Sequence, residues 1–363
     1  MPTAKFCAVK DNQGWPVLAL LRVRLQSRRE LRKGPTMTQT TLRQHLQAQS
    51  TDTDLMILME DIATACRMIA DRVRHGAFAG VLGAADTENV QGETQKELDV
   101  ISDEIFQQIV GGNPSLAALV SEEVDEVNWR KDAPQAGDFV VYYDPLDGSS
   151  NLDVNLSVGT IFSIVRLNAA IKPQAEAVQI KGTEQVAAGY AIYGPSTGLV
   201  ITTGQGVDGF THHPGSGEFL LTQPKMTIPP ETQEFAINAS RYDMWETPVR
   251  SYIDDCLRGA NGLRGKKFNM RWCASMVADV HRILTRGGVF LYPQDAGNAA
   301  QGGKLRLMYE ANPMGMLVEQ AGGASSTGRG RILEVAPTGH HQRVPVILGS
   351  RDEVAVIEAY HQK

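Results

Sequence analysis

The chain has 363 residues, 42% hydrophobic and 21% charged, with a net charge of −6. This length leaves room for two domains, ordinary apolar and charged usage excludes a disordered or fibrous chain, and the acidic balance argues against a dedicated nucleic-acid binder. Cys7, Cys66, Cys256 and Cys273 form no C-x-x-C pair, which points to neither structural zinc nor a disulfide framework and fits a reducing cytoplasm, and no apolar run reaches the roughly 20 residues of a membrane helix.

Residues 1–36 hold eight Lys and Arg against Asp11 and Glu30, a net charge of +6 that leaves −12 for the remainder. Little Ser and the early Pro2 and Pro16 argue against a transit peptide, so the segment reads as a basic extension, disordered or preceding an alternative start at Met37. From Leu55, apolar residues recur at helical spacing through Leu58, Met59, Ile62, Cys66, Ile69 and Val73, with Thr53 and Asp54 as cap candidates and Gly76 as the stop. A second amphipathic helix is expected from about Thr94 through Leu98, Ile101, Ile105 and Ile109, ended by Gly111-Gly112, and Ala77 to Glu93 reads as a mobile loop. Short apolar runs over 116–120, 139–143, 160–165, 186–193, 199–203 and 219–221, bounded by Gly and Pro, predict a sheet of mixed direction. Beyond Pro230, predicted helices over 274–286 and 305–320 alternate with strands over 289–292 and 344–348, an α/β pattern in which helices cover a sheet. The expected division is an N-terminal domain over 37–226 and a C-terminal one over 227–363.

An acidic protein that handles a phosphorylated ligand needs local cations, and one segment is suited to gather them. The run Phe139 to Tyr143 leads straight into Asp144-Pro145-Leu146-Asp147-Gly148-Ser149-Ser150-Asn151. Pro145 is expected to stop the ladder so that Asp144 projects from the strand end, and Asp147 can turn back to the same point. Such oxygens suit Mg²⁺, which takes a carboxylate or two and keeps its other positions for water and phosphate, with the Leu146 carbonyl as a further ligand. Gly148, Ser149 and Ser150 offer N–H groups and hydroxyls to a phosphate beside the ion. Glu122-Glu123 closes the run Leu116 to Val120 in the same manner. Alone it would be a solvated pair, but acids at the ends of neighbouring strands converge at one sheet edge. Glu93 and Asp99, near the start of the second helix, need do no more than stabilise its N-terminus. Glu310 would ordinarily sit on an exposed helix face, paired with Arg306.

These residues belong to a longer series that includes Gln95-Lys96-Glu97-Leu98-Asp99-Val100, Leu119-Val120-Ser121-Glu122-Glu123, Ser275-Met276-Val277-Ala278-Asp279-Val280-His281-Arg282, Tyr309-Glu310-Ala311-Asn312-Pro313-Met314 and Pro345-Val346-Ile347-Leu348-Gly349-Ser350. Through them the chain resembles, over about residues 52–362, the class I fructose-1,6-bisphosphatases of the inositol monophosphatase-like, lithium-sensitive superfamily. The resemblance implies a mixed α/β fold in α-β-α-β-α layers with two domains, each a sheet covered by helices, the first metal-binding and the second sugar-phosphate-binding. It implies hydrolysis of the 1-phosphate of fructose 1,6-bisphosphate by metal-activated water, with Mg²⁺ as cofactor and Mn²⁺ or Zn²⁺ as substitutes, in a cytoplasmic homotetramer built as a dimer of dimers.

By the same resemblance Glu122, Asp144, Asp147, Glu310 and the Leu146 carbonyl are the metal ligands. Glu93, Asp99 and Glu123 are the catalytic groups, Glu93 standing where the family has Asp. Gly148, Ser149 and Ser150 hold the leaving 1-phosphate. Asn238, Met276, Tyr292 and Lys304 hold the sugar and 6-phosphate, with Arg271 reaching in from a neighbouring subunit. Trp272 replaces a Tyr near the 6-phosphate, and His281 reads as a core or subunit-contact histidine. The Lys-Tyr pair with which animal relatives bind AMP is Asp138-Phe139 here, although Arg166 is kept, which implies weak or absent AMP inhibition. A sedoheptulose-1,7-bisphosphatase, or an enzyme for both sugars, would share these sites. A sugar-phosphate sensor that binds without hydrolysing is the alternative of another class.

Overall fold

Asp52, not Thr53 or Asp54, caps the first long helix: its carboxylate accepts from the Asp54 and Leu55 N–H groups, both at 3.1 Å. The protein is described here by a computed structural model covering residues 39–79, 84–88 and 94–362; the basic extension and Glu93 lie outside the described residues. After α1 (Leu42–Ala48), α2 (Thr53–Ala79) runs through Gly76, because a buried apolar face outweighs the roughly 1 kcal/mol that a helical glycine costs. Inside the segment read as a loop lies β1 (Ala84–Glu88), which pairs with β2 (Thr94–Lys96) where the second helix was expected to begin, so α3 (Glu97–Val110) starts three residues later than expected.

An eight-stranded mixed sheet follows, from β3 (Leu116–Ser121), β4 (Asn128–Trp129), β5 (Phe139–Asp147), β6 (Val158–Arg166), β7 (Gln185–Tyr193), β8 (Thr197–Thr202), β9 (Val207–His213) and β10 (Glu218–Met226), in the order β10-β9-β8-β7-β6-β5-β3-β4. Only the β3–β5 pair is parallel. Pro145 does not end β5. The register against β6 shifts between Asp144 and Asp147, and this irregularity lets the strand carry a proline and continue to the second acid.

The second sheet contains β11 (Glu234–Ala236), β12 (Asn269–Met270), β13 (Val289–Tyr292), β15 (Ala324–Ser326) and β17 (Val346–Gly349), ordered β12-β11-β13-β17-β15; a separate pair joins β14 (Leu305–Arg306) to β16 (Arg343–Val344). Pro345 falls between β16 and β17 and splits the predicted strand over 344–348 in two. Four more helices complete the fold, α4 (Thr247–Leu257), α5 (Met276–Arg286), α6 (Asn312–Gln320) and α7 (Arg351–His361).

Side chains alternate across a strand, and along β5 Val141 and Tyr143 pack with α2 and α3, whereas Val140 and Tyr142 pack with α5, α6 and residues of the second sheet such as Phe290. On the far side, β11, β13 and β17 pack through Phe235, Val289 and Ile347 against Tyr252 and Ile253 of α4 and Ile357 of α7. The layers are therefore α-β-α-β-α, and the middle helix layer is shared by both sheets.

Candidate active site

In β3 and β5 Ser121 stands opposite Tyr143, and the Glu122 N–H donates to the Tyr143 carbonyl at 3.1 Å. Glu122 and Asp144 therefore leave the sheet edge side by side. By alternation Asp144 follows Val140 and Tyr142 toward the middle helix layer. Past the irregularity, Asp147 meets the start of α5: its Oδ2 accepts from Ser275 Oγ at 2.7 Å and from the Val277 N–H at 2.9 Å, while Ser275 Oγ also caps the helix at Ala278. That approach requires a glycine next in line. Gly148 has φ 74°, and a Cβ there would lie 2.7 Å from Ser275 Cβ.

Glu310 arrives by a route that helical periodicity did not suggest. The stretch predicted as one helix over 305–320 is β14, a five-residue π-helical turn (Leu307–Ala311) and then α6. The turn points Glu310 inward, and it is 3% exposed instead of lying on a solvated face. The expected pairing with Arg306 is present but buried: the guanidinium reaches Glu122 at 2.6 Å and Glu310 at 3.8 Å.

One oxygen each of Asp144, Asp147 and Glu310 lies within 4.8 Å of the others. Burial, then the charges of Glu122, Asp147 and Glu310, push the Asp144 carboxyl well above the carboxylate range. Burial likewise pushes Asp147 up to about 6, against the pull of Val277 N–H and Ser275, and Glu310 up to about 8, against Arg306. Glu122, Asp144, Asp147 and Glu310 are all buried, and the buried cation beside them is Arg306. The donor set is oxygen only, net negative and self-repelling, which fits a hard divalent cation.

A pocket of about 420 Å³ opens over these acids. It is lined by Asp99, Glu122, Glu123, Asp144, Leu146, Asp147, Gly148, Ser149, Ser150, Asn238, Met276, Tyr292, Lys304 and Glu310, so the sequence-predicted residues are brought together apart from Glu93, outside the described residues, and Arg271. Arg271 is exposed and lies 3.7 Å from Glu234. Trp272 stacks on Phe290 with centroids 5.9 Å apart and leans on Tyr292, forming an aromatic wall. Sequence reasoning missed Phe290, Ser275 and the buried setting of Arg306. Ser275 falls inside the helix predicted from 274, whereas in the structure it is the capping residue just before α5. His281 lies outside the pocket, half-buried, with Nδ1 2.8 Å from the Tyr190 hydroxyl.

Comparison with known proteins gives a consistent result along the chain. Residues 35–224 match the family profile "Fructose-1-6-bisphosphatase, N-terminal domain" and residues 228–362 match "Fructose-1-6-bisphosphatase, C-terminal domain". A fructose-1,6-bisphosphatase class 1 from Halorhodospira halophila is 57% identical over 310 residues, 84% of this chain and 92% of the relative. The crystal structure of Leishmania major fructose-1,6-bisphosphatase in holo form superposes with a TM-score of 0.85 at 39% identity, covering 90% of this chain and 100% of that one. The T-state form of the same enzyme superposes at 0.78 with 39% identity and the same coverage.

Proposed function

The chain belongs to the fructose-1,6-bisphosphatase family, and from that premise we propose that it hydrolyses the 1-phosphate of D-fructose 1,6-bisphosphate, giving fructose 6-phosphate and phosphate. The observation that carries the reading is one pocket joining an oxygen-only acid cluster to a second set of polar groups, Asn238, Tyr292 and Lys304, placed to hold another phosphate. Mg²⁺ is the proposed ion, held by Glu122, Asp144, Asp147, Glu310 and the Leu146 carbonyl, with Mn²⁺ or Zn²⁺ as substitutes. When bound, it lowers the pKa of water and neutralises charge on the leaving oxygen.

The chain's own groups do the rest. Gly148, Ser149 and Ser150 donate N–H and O–H to the 1-phosphate. Asp99 and Glu123, with Glu93, accept the proton of the attacking water. Lys304 and the Tyr292 hydroxyl hold the 6-phosphate, Asn238 adds a donor, and Met276 packs beneath the sugar. Arg271 serves a neighbour's pocket in a homotetramer built as a dimer of dimers, and its exposed position off its own pocket supports this. Among the described residues Cys66, Cys256 and Cys273 are free thiols, which supports a cytoplasmic setting, and no helix is long and apolar enough to cross a membrane.

Phosphate release with Mg²⁺ tests this function. Two charge-assisted contacts at the second phosphate are worth about 1.5 kcal/mol or more each, so kcat/KM for fructose 1,6-bisphosphate should exceed that for a sugar monophosphate by roughly 100-fold. Equal rates would remove the second phosphate site. Sedoheptulose 1,7-bisphosphate in the same assay separates the two sugar readings, and no release from any sugar would leave the sensor.

AMP should inhibit weakly or not at all. Arg166 is already engaged by Asp52 at 2.8 Å and lies 4.5 Å over the Phe139 ring, while Asp138 binds Lys131 at 2.6 Å. A nucleotide phosphate there would meet an occupied guanidinium and a carboxylate. Initial rates measured against AMP check this, and half-inhibition at micromolar AMP would refute it.

A further inference from the structure

Outside the pocket, one segment reaches both halves of the acid cluster. Arg343 of β16 pairs in register with Arg306 of β14, and the Leu307 N–H donates to the Gln342 carbonyl at 2.7 Å. One residue earlier, His341 Nδ1 lies 2.6 Å from the hydroxyl of Tyr309, the direct neighbour of Glu310, with the two rings edge-on. The other side of the same imidazole faces the loop that follows Glu122 and Glu123. His341 Nε2 is 3.8 Å from Asp125 Oδ1, and His340, whose ring centroid is 4.4 Å from that of His341, places its Nε2 2.6 Å from the Asp125 carbonyl oxygen.

We propose that His341 is a positioning residue for the acid site, setting the separation between the loop that carries Glu122 and Glu123 and the π-helical turn that carries Glu310. The inference rests on the reading of that cluster as a divalent-cation site. The two elements are almost two hundred positions apart in sequence, and neither is held by a long regular ladder: Glu123 follows the end of β3 and Glu310 lies on a single turn. With the Tyr309 hydroxyl donating to Nδ1, the remaining ring hydrogen sits on Nε2, whose 3.8 Å to Asp125 Oδ1 is a charge–dipole contact and not a hydrogen bond, so the ring spans the gap by one hydrogen bond on the Tyr309 side and by packing and charge on the loop side. A small octahedral ion tolerates little drift in its ligands. Groups that hold such ligands from behind typically govern affinity by 10- to 100-fold.

The test is Mn²⁺ binding to the protein without sugar, followed by calorimetry, together with steady-state kinetics. His341→Ala should weaken Mn²⁺ binding about 10-fold and raise the Mg²⁺ concentration for half-activation in parallel, with KM for fructose 1,6-bisphosphate unchanged at saturating Mg²⁺. His341→Asn, whose amide oxygen can still accept from Tyr309, should restore part of the affinity. Asp125→Ala, an exposed change that tests the loop side if His341→Ala does not fold, should weaken Mn²⁺ binding in the same sense. The double variant should be no worse than His341→Ala alone. Wild-type affinity in both single variants would overturn the inference while leaving the function intact, as would an equal loss in Mn²⁺ binding and sugar KM. Absence of Mn²⁺ binding by the wild-type protein would overturn both.

Discussion

Replacing Asp147 by Asn is expected to lower metal-dependent phosphate release by about 10³-fold or more while leaving the protein folded. The cluster has Asp144 and Glu310 as the other carboxylates, with one oxygen of each of the three within 4.8 Å of the others, so Asn removes one formal charge from the set that would hold the ion. A loss of about 4 kcal/mol in transition-state stabilisation corresponds to that factor, and charge stabilisation by a bound metal is worth several kcal/mol. The fold should survive because Asn keeps an oxygen that can accept from Ser275 Oγ and the Val277 N–H, the two contacts that tie β5 to α5. Removing one of several buried like charges should leave the metal-free protein at least as stable as the parent. Phosphate release at saturating Mg²⁺ and a thermal melt of the same sample check both halves. Activity within ten-fold of the parent would sink the role of Asp147.

The side of the site that contains Asp147 was legible in the sequence because its signals are local. A fully apolar run ending in D-P-L-D-G-S-S marks a strand end, acids and a turn within eight residues. Glu122 was legible by analogy, since the parallel β3–β5 pairing was the arrangement that makes two such strand ends converge. Glu310 was legible only through the family resemblance and not through residue pattern, because a π-helical turn has nearly the hydrophobic spacing of the α-helix that follows it, and its inward aim depends on one extra residue per turn. The Arg306–Glu310 pair reads as exposed because charged side chains almost always are, and the burial of Arg306 follows from a second acid, Glu122, contributed by a distant segment. In the fold, β9 escaped notice: Val207-Asp208-Gly209-Phe210-Thr211-His212-His213 has few apolar residues, and Asp208 is buried with His45 of α1 as its partner. That compensation comes from 163 residues away, beyond any local window.

The raised carboxyls also fix how stability should depend on pH and metal. Glu310 holds its proton up to about 8 in the folded protein, against 4.5 ordinarily, and Asp144 is held well above its own ordinary value by burial and three neighbouring acids. Between the ordinary and the folded values the folded state binds more protons than the unfolded one, so stability falls as pH rises through that window and levels off above it. His341, held down to about 4 chiefly by burial, works in the opposite sense between about 4 and about 6.5, so the fall should be cleanest above about 6.5. Each group that retains a proton there costs up to about 1.4 kcal/mol per pH unit. With a chelator present, the melting temperature should therefore drop from about pH 6.5 to about pH 8. A divalent ion replaces those protons, so its binding should release protons, tighten with pH and raise the melting temperature more at the alkaline end. Melts in chelator and in Mg²⁺ across that range, with Glu310→Gln flattening the chelator curve, measure the linkage directly. A chelated protein that gains stability over the same range, or a metal shift independent of pH, would mean that the acids are balanced by something other than the ion they are arranged to hold.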